Sequence, residues 1–190
     1  SDLNYPLYFL DFETIRSSIP LFENSRPFQQ IVFQYSVHIK ETPSSEIEHE
    51  EYLANPDVDP RIGFVKKIIE DCGTEGDILV YNIGFERSKL VDLIKVFPQY
   101  SEKLKNIINR LKDLMIPFQK KWYYKPEMKG SFSIKSVLPA LTDNLSYESL
   151  EIKEGGTASD TFLQMINKTF EGDEEIKRKQ LFIINTKTSY

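Results

Sequence analysis

The sequence predicts a single mixed α/β domain, residues 1–190, in which helices flank a sheet that begins with an antiparallel three-strand meander. Three extended segments separated by short turns come first, the hydrophobic period then changes to that of helices, and a further buried strand follows the first helix. The 190-residue chain is long enough to bury a full core, and its 40% hydrophobic content excludes general disorder.

The meander is predicted from three consecutive segments. The run "LYFLDFE" is typical of a buried strand that ends in acids, and Gln29 to Lys40 alternates as a second strand should. The run "IEHEEYLA" predicts a third strand, and the short turn "ETPSSE" before it makes that strand antiparallel to the second.

The remainder predicts helices around one more strand. In "DPRIGFVKKIIEDCG" apolar residues recur at helical spacing, with Asp59 as the expected N-cap and Gly73 at the end. The run "GDILVYN" predicts a buried strand, and two amphipathic helices follow in "GFERSKLVDLIKVF" and "YSEKLKNIINRLKDL". Beyond a loop of aromatics and lysines, short helices are expected in "SIKSVLPAL" and "TASDTFLQMINKTF", and "EEIKRKQLFII" is expected to start the last helix.

The composition of the chain restricts the classes of function that it can have. No apolar stretch approaches 18 residues, which argues against a membrane span, and the start lacks a signal-peptide pattern, so a cytoplasmic location is the default expectation. The single cysteine, Cys72, excludes an internal disulfide and a cysteine-rich zinc site. The net charge of −5 means that any nucleic acid would be held by a local basic patch or through metal ions on acids. The initial Ser suggests a domain excised from a longer protein that has flanking domains.

Two acids end the first strand. Asp11 and Glu13 are separated by one residue, so their side chains share one face of the strand. Two like charges at that spacing repel and raise each other's pKa unless a cation lies between them, and hard oxygen ligands suit Mg²⁺ or Mn²⁺. The alternative is a strand end with two solvated acids, because D-x-E is a common pattern.

A third acid follows the next buried strand. In "ILVYNIGFERSKL" a tight turn at Asn82 and Gly84 leads to Glu86 in the first turn of a helix. The helix dipole alone would favour an acid there. If this strand lies beside the first one, however, Glu86 joins Asp11 and Glu13 at one end of the sheet.

These stretches resemble a known family. "FLDFET" followed by "VYNIGFE" is similar to the first two motifs of the DEDD exonucleases, whose fold is ribonuclease H-like, with Glu86 where Asp is usual. "RPFQQIVFQYSVH" and "GSFSIKSVLPAL" resemble most closely a bacterial group of uncharacterised domains within that superfamily. The resemblance implies a 3′–5′ exonuclease that hydrolyses DNA or RNA with two Mg²⁺ or Mn²⁺ ions, Asp11 bridging both and Glu13 and Glu86 completing the shell.

The sequence departs from that superfamily in the last motif, Y-x-x-x-D. The matching stretch "QLFIINTKTSY" has Ile184 and Thr188 at those positions, and no acid follows Glu175. Three interpretations stay open: a truncated or altered last helix, an inactive ribonuclease H-like module that binds nucleic acid or protein, or a substitute acid. Asp160 is the obvious substitute but is better interpreted as an N-terminal helix acid, and Asp113 either joins the site or caps locally.

Other candidates are weaker. The loop "KKWYYKPEMKG" interleaves lysines with aromatics, as single-strand binding surfaces do, and it could equally pack over the core. Lys89 and Lys135 are possible phosphate contacts, although each is more simply a solvated lysine. His38 and His49 are interpreted as structural.

Overall fold

The computed structural model describes residues 3–142, 155–169 and 181. The strands are β1 Leu7–Arg16, β2 Gln30–Lys40, β3 Ile47–Leu53, β4 Asp77–Val80 and β5 Leu111–Asp113. The helices are α1 Pro60–Asp71, α2 Ile83–Val96, α3 Ser101–Arg110, α4 Ile116–Gln119, α5 Ile134–Leu141 and α6 Gly155–Asn167, and Pro98–Tyr100 and Pro126–Met128 form 3-10 turns.

The strands form one five-stranded mixed sheet in the order β3-β2-β1-β4-β5. The meander β1-β2-β3 is antiparallel, whereas β4 pairs parallel to β1 and β5 parallel to β4. This confirms the predicted mixed α/β class with a three-strand meander and flanking helices. The order and the strand directions are compatible with a ribonuclease H-like fold.

Helices α1, α2 and α3 cover one face of the sheet, which is apolar. Tyr8, Leu10 and Phe12 of β1 alternate toward this face and meet the fully buried Phe64 of α1. The ring of Phe64 makes edge-to-face contacts with three other aromatic rings, those of Phe12, Tyr35 and Tyr52. This is the main core of the molecule.

Helix α6 packs on the other face, near the end of β1. Phe162 of α6 stacks on Phe33 with ring centroids 4.3 Å apart, in a second apolar cluster. The hydroxyl of Ser159 donates to the carbonyl of Thr14. A layer of helix on each face of the sheet therefore leaves the carboxyl ends of the parallel strands as the open edge.

Most predicted elements lie within a few residues of their observed bounds, and the N-cap at Asp59 is confirmed by its bond from the amide of Arg61. The prediction that "YSEKLKNIINRLKDL" is wholly helical was wrong. Helix α3 ends at Arg110, whose guanidinium donates to the carbonyls of Cys72 and Gly73 at 2.8 and 3.0 Å, and Leu111 then pairs beside Ile78 as a strand.

The predicted last helix falls outside the described residues except at Leu181, which is helical. Ile184 and Thr188, the positions of the missing motif, lie outside the described residues as well. Within the described part of the chain, no helix is both long and apolar enough to cross a membrane.

Candidate functional site

Three parallel strands bring their carboxyl ends to one edge of the sheet. Asp11 and Glu13 lie within β1, which was predicted to end at these acids but continues to Arg16; the turn after β4 leads to Glu86, and Asp113 ends β5. In α/β sheets this edge is where ligands commonly bind, because loops and helix N-termini converge there. The three acids predicted as a site therefore lie at the same edge of the sheet.

Asp11 and Glu13 lie on the face opposite the main core, as their spacing predicted. Asp11 is accessible to solvent, yet surrounding protein mass still desolvates its carboxylate and raises the pKa to about 6. Desolvation raises the pKa of Glu13 to about 8, and the charge of Asp11 adds to that shift. Both carboxyl groups are thus easier to protonate than a solvated acid.

Glu86 is almost completely buried, with 2% of its surface exposed. Burial raises its pKa to about 8; a bond from its own backbone N–H opposes that shift, and the charges of Asp11 and Asp113 add to it. Its Oε2 has no hydrogen-bond partner among the described residues. Asp11 therefore interacts electrostatically with both Glu13 and Glu86.

Asp113 holds the turn that positions Glu86. Asn82 adopts a left-handed conformation, φ 83°, and makes no side-chain cap for α2. The Asp113 carboxylate takes over that role by accepting the amides of Asn82 and Ile83, each at 3.1 Å, and also that of Met115 at 2.8 Å. Of the two roles proposed for Asp113, capping is the one that the hydrogen bonds show, although the cap serves a helix remote in sequence.

The site fits a divalent cation in its chemistry but does not form a closed cage. Carboxylate oxygens are the donors that Mg²⁺ and Mn²⁺ prefer, and a buried carboxylate oxygen without a donor is typical of a place that takes a cation. However, no group of three or more His, Cys, Asp and Glu side chains among the described residues is arranged to hold a metal ion.

A row of buried polar groups adjoins the acids, and no motif in the sequence marks it. Gln34 lies opposite Glu13 and Ser36 lies opposite Asp11, and both are fully buried. The amide of Gln34 donates to the carbonyl of Leu181 at 2.8 Å, while its Oε1 has no partner in the described part of the chain. Only the register of the meander places these side chains beside the acids, and that register could have been read from the pairing of two predicted strands.

The structure gives different surroundings for two of the weaker candidate residues, Lys89 and Asp160. Lys89 is buried rather than solvated: its ammonium donates to Gln30 at 3.0 Å and lies 5.5 Å from the ring centre of Phe85. Desolvation lowers the pKa of Lys89, against the nearby charge of Asp92. Asp160 is exposed on α6 and makes no ion pair within the described residues, which agrees with its interpretation as a helix acid.

Comparison with known proteins gives a family and relatives. The family model described as "Domain of unknown function (DUF2779)" matches residues 8–133. The chain is 30% identical to the uncharacterized protein MG366 of Mycoplasma genitalium over 185 residues, 84% of this chain and 27% of that protein. It is 32% identical to the uncharacterized protein UU173 of Ureaplasma parvum serovar 3 over 168 residues, 77% of this chain and 24% of that protein. The chain thus spans about a quarter of these relatives' length. No solved structure matches the chain.

Proposed function

The chain belongs to the family described as Domain of unknown function (DUF2779), and we propose that it is a metal-dependent nuclease domain that hydrolyses phosphodiester bonds of DNA or RNA. The observation that carries the proposal is the convergence of Asp11, Glu13 and Glu86 at the carboxyl edge of the sheet. The strand order, which is compatible with a ribonuclease H-like fold, supports placing the domain among DEDD-type 3′–5′ exonucleases.

The energetics of the three acids support a cation rather than a structural role. Desolvation raises the pKa of each, and the charge of Asp11 adds to the shifts of Glu13 and Glu86, so ionising the two glutamates in the bare protein is unfavourable near neutral pH. A fold gains nothing from such an arrangement unless something positive is bound there. Mg²⁺ or Mn²⁺ would supply that charge.

Each residue has a distinct part in this proposal. Two divalent ions, when bound, would supply an activated water and stabilise the leaving oxygen. Asp11 would hold them as the accessible acid whose charge interacts with both glutamates, Glu13 would bind from the same strand, and Glu86 would bind through Oε2, which has no hydrogen-bond partner among the described residues. Asp113 would act on α2, by fixing the helix start from which Glu86 projects.

Calorimetric titration with Mn²⁺ tests the metal site. The native chain is expected to bind at micromolar to millimolar strength, Asp11→Asn to lose binding, and Glu86→Gln to weaken it. Glu102→Gln is the matched control, because the Glu102 side chain is 87% exposed on α3, far from the carboxyl edge. Absence of heat with the native chain, or equal binding by Asp11→Asn, would remove the metal site from the proposal.

Hydrolysis is tested with a 5′-labelled single-stranded oligonucleotide and Mn²⁺. A 3′–5′ exonuclease produces a ladder that shortens from the 3′ end, and the ladder must vanish in Asp11→Asn. Internal cuts that also need Asp11 would keep the nuclease but reject the exonuclease polarity.

An inactive binding module is the second candidate, favoured by two observations. In the stretch that resembles the fourth motif, Ile184 and Thr188 stand where that motif has Tyr and Asp, and the described acids do not close around one point. Such a module would bind the oligonucleotide without Mn²⁺ and leave it intact at all Mn²⁺ concentrations. Flanking domains in the longer relatives would then carry any chemistry.

A further inference from the structure

The segment from Leu114 to Phe132, named here the aromatic loop, has a small core of its own. Met128 is 1% exposed and packs with Val137 and Ala140 of α5, and Phe118 lies against them. This cluster is separate from the two cores on the sheet. Met128 and Phe118 therefore anchor the loop, and of its other aromatic side chains Tyr123 makes an edge-to-face contact with Phe118, with ring centroids 6.1 Å apart.

Those other aromatics face solvent. Trp122, Tyr123 and Tyr124 are 72%, 44% and 50% exposed, so a large part of each ring is open to solvent, and Tyr123 also contacts Phe118. The backbone under them is fixed: the amide of Trp122 donates to the carbonyl of Pro117 at 2.8 Å. Three consecutive exposed rings on a hydrogen-bonded backbone form a platform, and such a patch is expected to have a ligand.

The platform is positively charged within an acidic protein. The aromatic loop carries four lysines (Lys120, Lys121, Lys125 and Lys129) against one acid, Glu127, whereas the whole chain has a net charge of −5. The ammonium of Lys120 lies 5.9 Å from the ring centre of Trp122, so cation and ring present one surface. A polyanion with flat apolar groups is complementary to this surface.

Both ends of the aromatic loop are tied to the turn that positions Glu86. At the start, the amide of Leu114 donates to the carbonyl of Val80 at 2.9 Å. At the end, the hydroxyl of Tyr81 donates to the carbonyl of Phe132 at 2.6 Å. The aromatic loop thus begins and ends beside the turn that leads to Glu86.

We propose that the aromatic loop is a binding surface for single-stranded nucleic acid, with bases stacked on Trp122, Tyr123 and Tyr124 and phosphates held by Lys120, Lys121, Lys125 and Lys129. The proposal deepens the nuclease function and rests on it for the choice of nucleic acid over other anions. Unpaired bases expose the flat faces that aromatic side chains stack on, whereas in a duplex these faces are covered. The link to the acidic site would place a bound strand beside the carboxylates.

Tryptophan fluorescence tests the proposal directly, because Trp122 is the only tryptophan in the chain. The chain is titrated with a 12-nucleotide oligo-dT and, separately, oligo-rU, in low salt with EDTA so that no hydrolysis occurs. Stacking is expected to quench the fluorescence as the oligonucleotide saturates. Binding by fluorescence anisotropy without any quenching would overturn the proposal, as would no binding at all.

Variants then separate the rings from the lysines. Trp122→Ala and Tyr124→Ala are each expected to weaken binding about tenfold. Lys121→Gln is expected to lower the slope of log affinity against log salt by about 0.7. Tyr5→Ala, at the far end of β1, and Lys103→Gln, on α3, are the matched exposed controls and should change neither quantity.

Two further results would reject the assignment. A blue shift of Trp122 with phosphatidylserine-containing vesicles, and none with oligonucleotide, would make the platform a membrane-surface contact. Equal affinity for duplex and single strand would exclude base stacking. If the oligonucleotide quenches Trp122 but is not hydrolysed with Mn²⁺, the binding surface is supported and the nuclease activity is rejected. If it is hydrolysed but does not quench Trp122, the nuclease activity is supported and the binding surface is rejected.

Discussion

The two faces of the sheet differ in chemistry although the same strands build them. On β1 and β2 the residues that point toward α1–α3 are Tyr8, Leu10, Phe12, Tyr35, Val37 and Ile39, all in the main apolar core. The residues between them on the other face include Asp11, Glu13, Gln34, Ser36 and His38, a set of polar and titratable groups of which the last three are buried. The first face carries the main core, whereas the second combines the smaller apolar cluster under α6 with polar groups whose burial costs stability unless they are paired.

This contrast indicates where function lies. Polar groups at buried positions need a compensating partner, and the described residues leave Glu86 Oε2 and Gln34 Oε1 without one. Substitutions on the apolar face should therefore lower stability at every pH. Substitutions on the polar face should change how stability depends on pH and on divalent ions.

The largest effect is expected on the apolar face. Phe64→Ala removes a fully buried ring that contacts three other aromatic rings, so it should lower the free energy of unfolding by about 3–5 kcal/mol. Urea denaturation at pH 5 and pH 8 measures the loss, which should be equal at the two pH values. A loss below about 1 kcal/mol would mean that this face is not the main core.

Glu86→Gln is expected to raise stability, and only at the higher pH. The pKa of Glu86 is raised from 4.5 to about 8, so between these values the folded state holds a proton that the unfolded state has lost. The free energy of unfolding therefore falls as pH rises through this window, by at most about 1.4 kcal/mol per pH unit. Glu86→Gln removes this contribution and should be more stable than the native chain by about 2 kcal/mol at pH 8 in EDTA.

The control for Glu86→Gln is the pH series itself. The two proteins should be equally stable near pH 4.5, where Glu86 is protonated in the folded state, and should diverge as pH rises. Saturating Mn²⁺ at pH 8 should stabilise the native chain more than the variant, because the variant loses a charged ligand. A difference that stays constant from pH 5 to pH 8 would contradict the raised pKa.

Local pattern accounted for the strands and the site motifs. Alternation in "LYFLDFE" placed Asp11 and Glu13 on one face, and the turn at Asn82 predicted an acid at the start of a helix. The missed features come from non-local contacts. Strand β5 is three residues long, too short for a periodic signal, and its Asp113 caps a helix about thirty positions earlier in sequence. Burial of Lys89 likewise depends on Gln30, which only the fold brings near.

Asp113→Ala tests whether this long-range cap supports the polar face. The variant leaves the amides of Asn82 and Ile83 without their acceptor, which should lower the free energy of unfolding by about 1–2 kcal/mol. Removing the Asp113 charge should also lower the pKa of Glu86, so the fall of stability with rising pH should end at a lower pH and be smaller in total than in the native chain. Asp113→Asn, which keeps an acceptor oxygen, should recover part of the stability but not the pH dependence.

The smallest effect belongs to the histidine pair on the polar face. His38 and His49 lie directly opposite across β2 and β3 with ring centres 4.4 Å apart, and His49 also contacts the hydroxyl of Ser36 at 2.9 Å. Burial lowers both pKa values, and the neighbouring His49 adds to the shift of His38, while Glu50 opposes the shift of His49.

As the pH falls below the ordinary histidine pKa of 6.5, the unfolded state therefore takes up protons before the folded state does, and the free energy of unfolding decreases. This pH dependence is opposite in sign to that of the buried carboxyl groups. From pH 7 to pH 5.5 the His pair should contribute a loss of about 1 kcal/mol, and His38→Leu should remove much of that contribution. The difference between the urea-derived stabilities of the native chain and His38→Leu, taken at each pH, separates the contribution of the histidines from that of the carboxyl groups. If the two stability curves are parallel over pH, neither ring has a shifted pKa in the folded state.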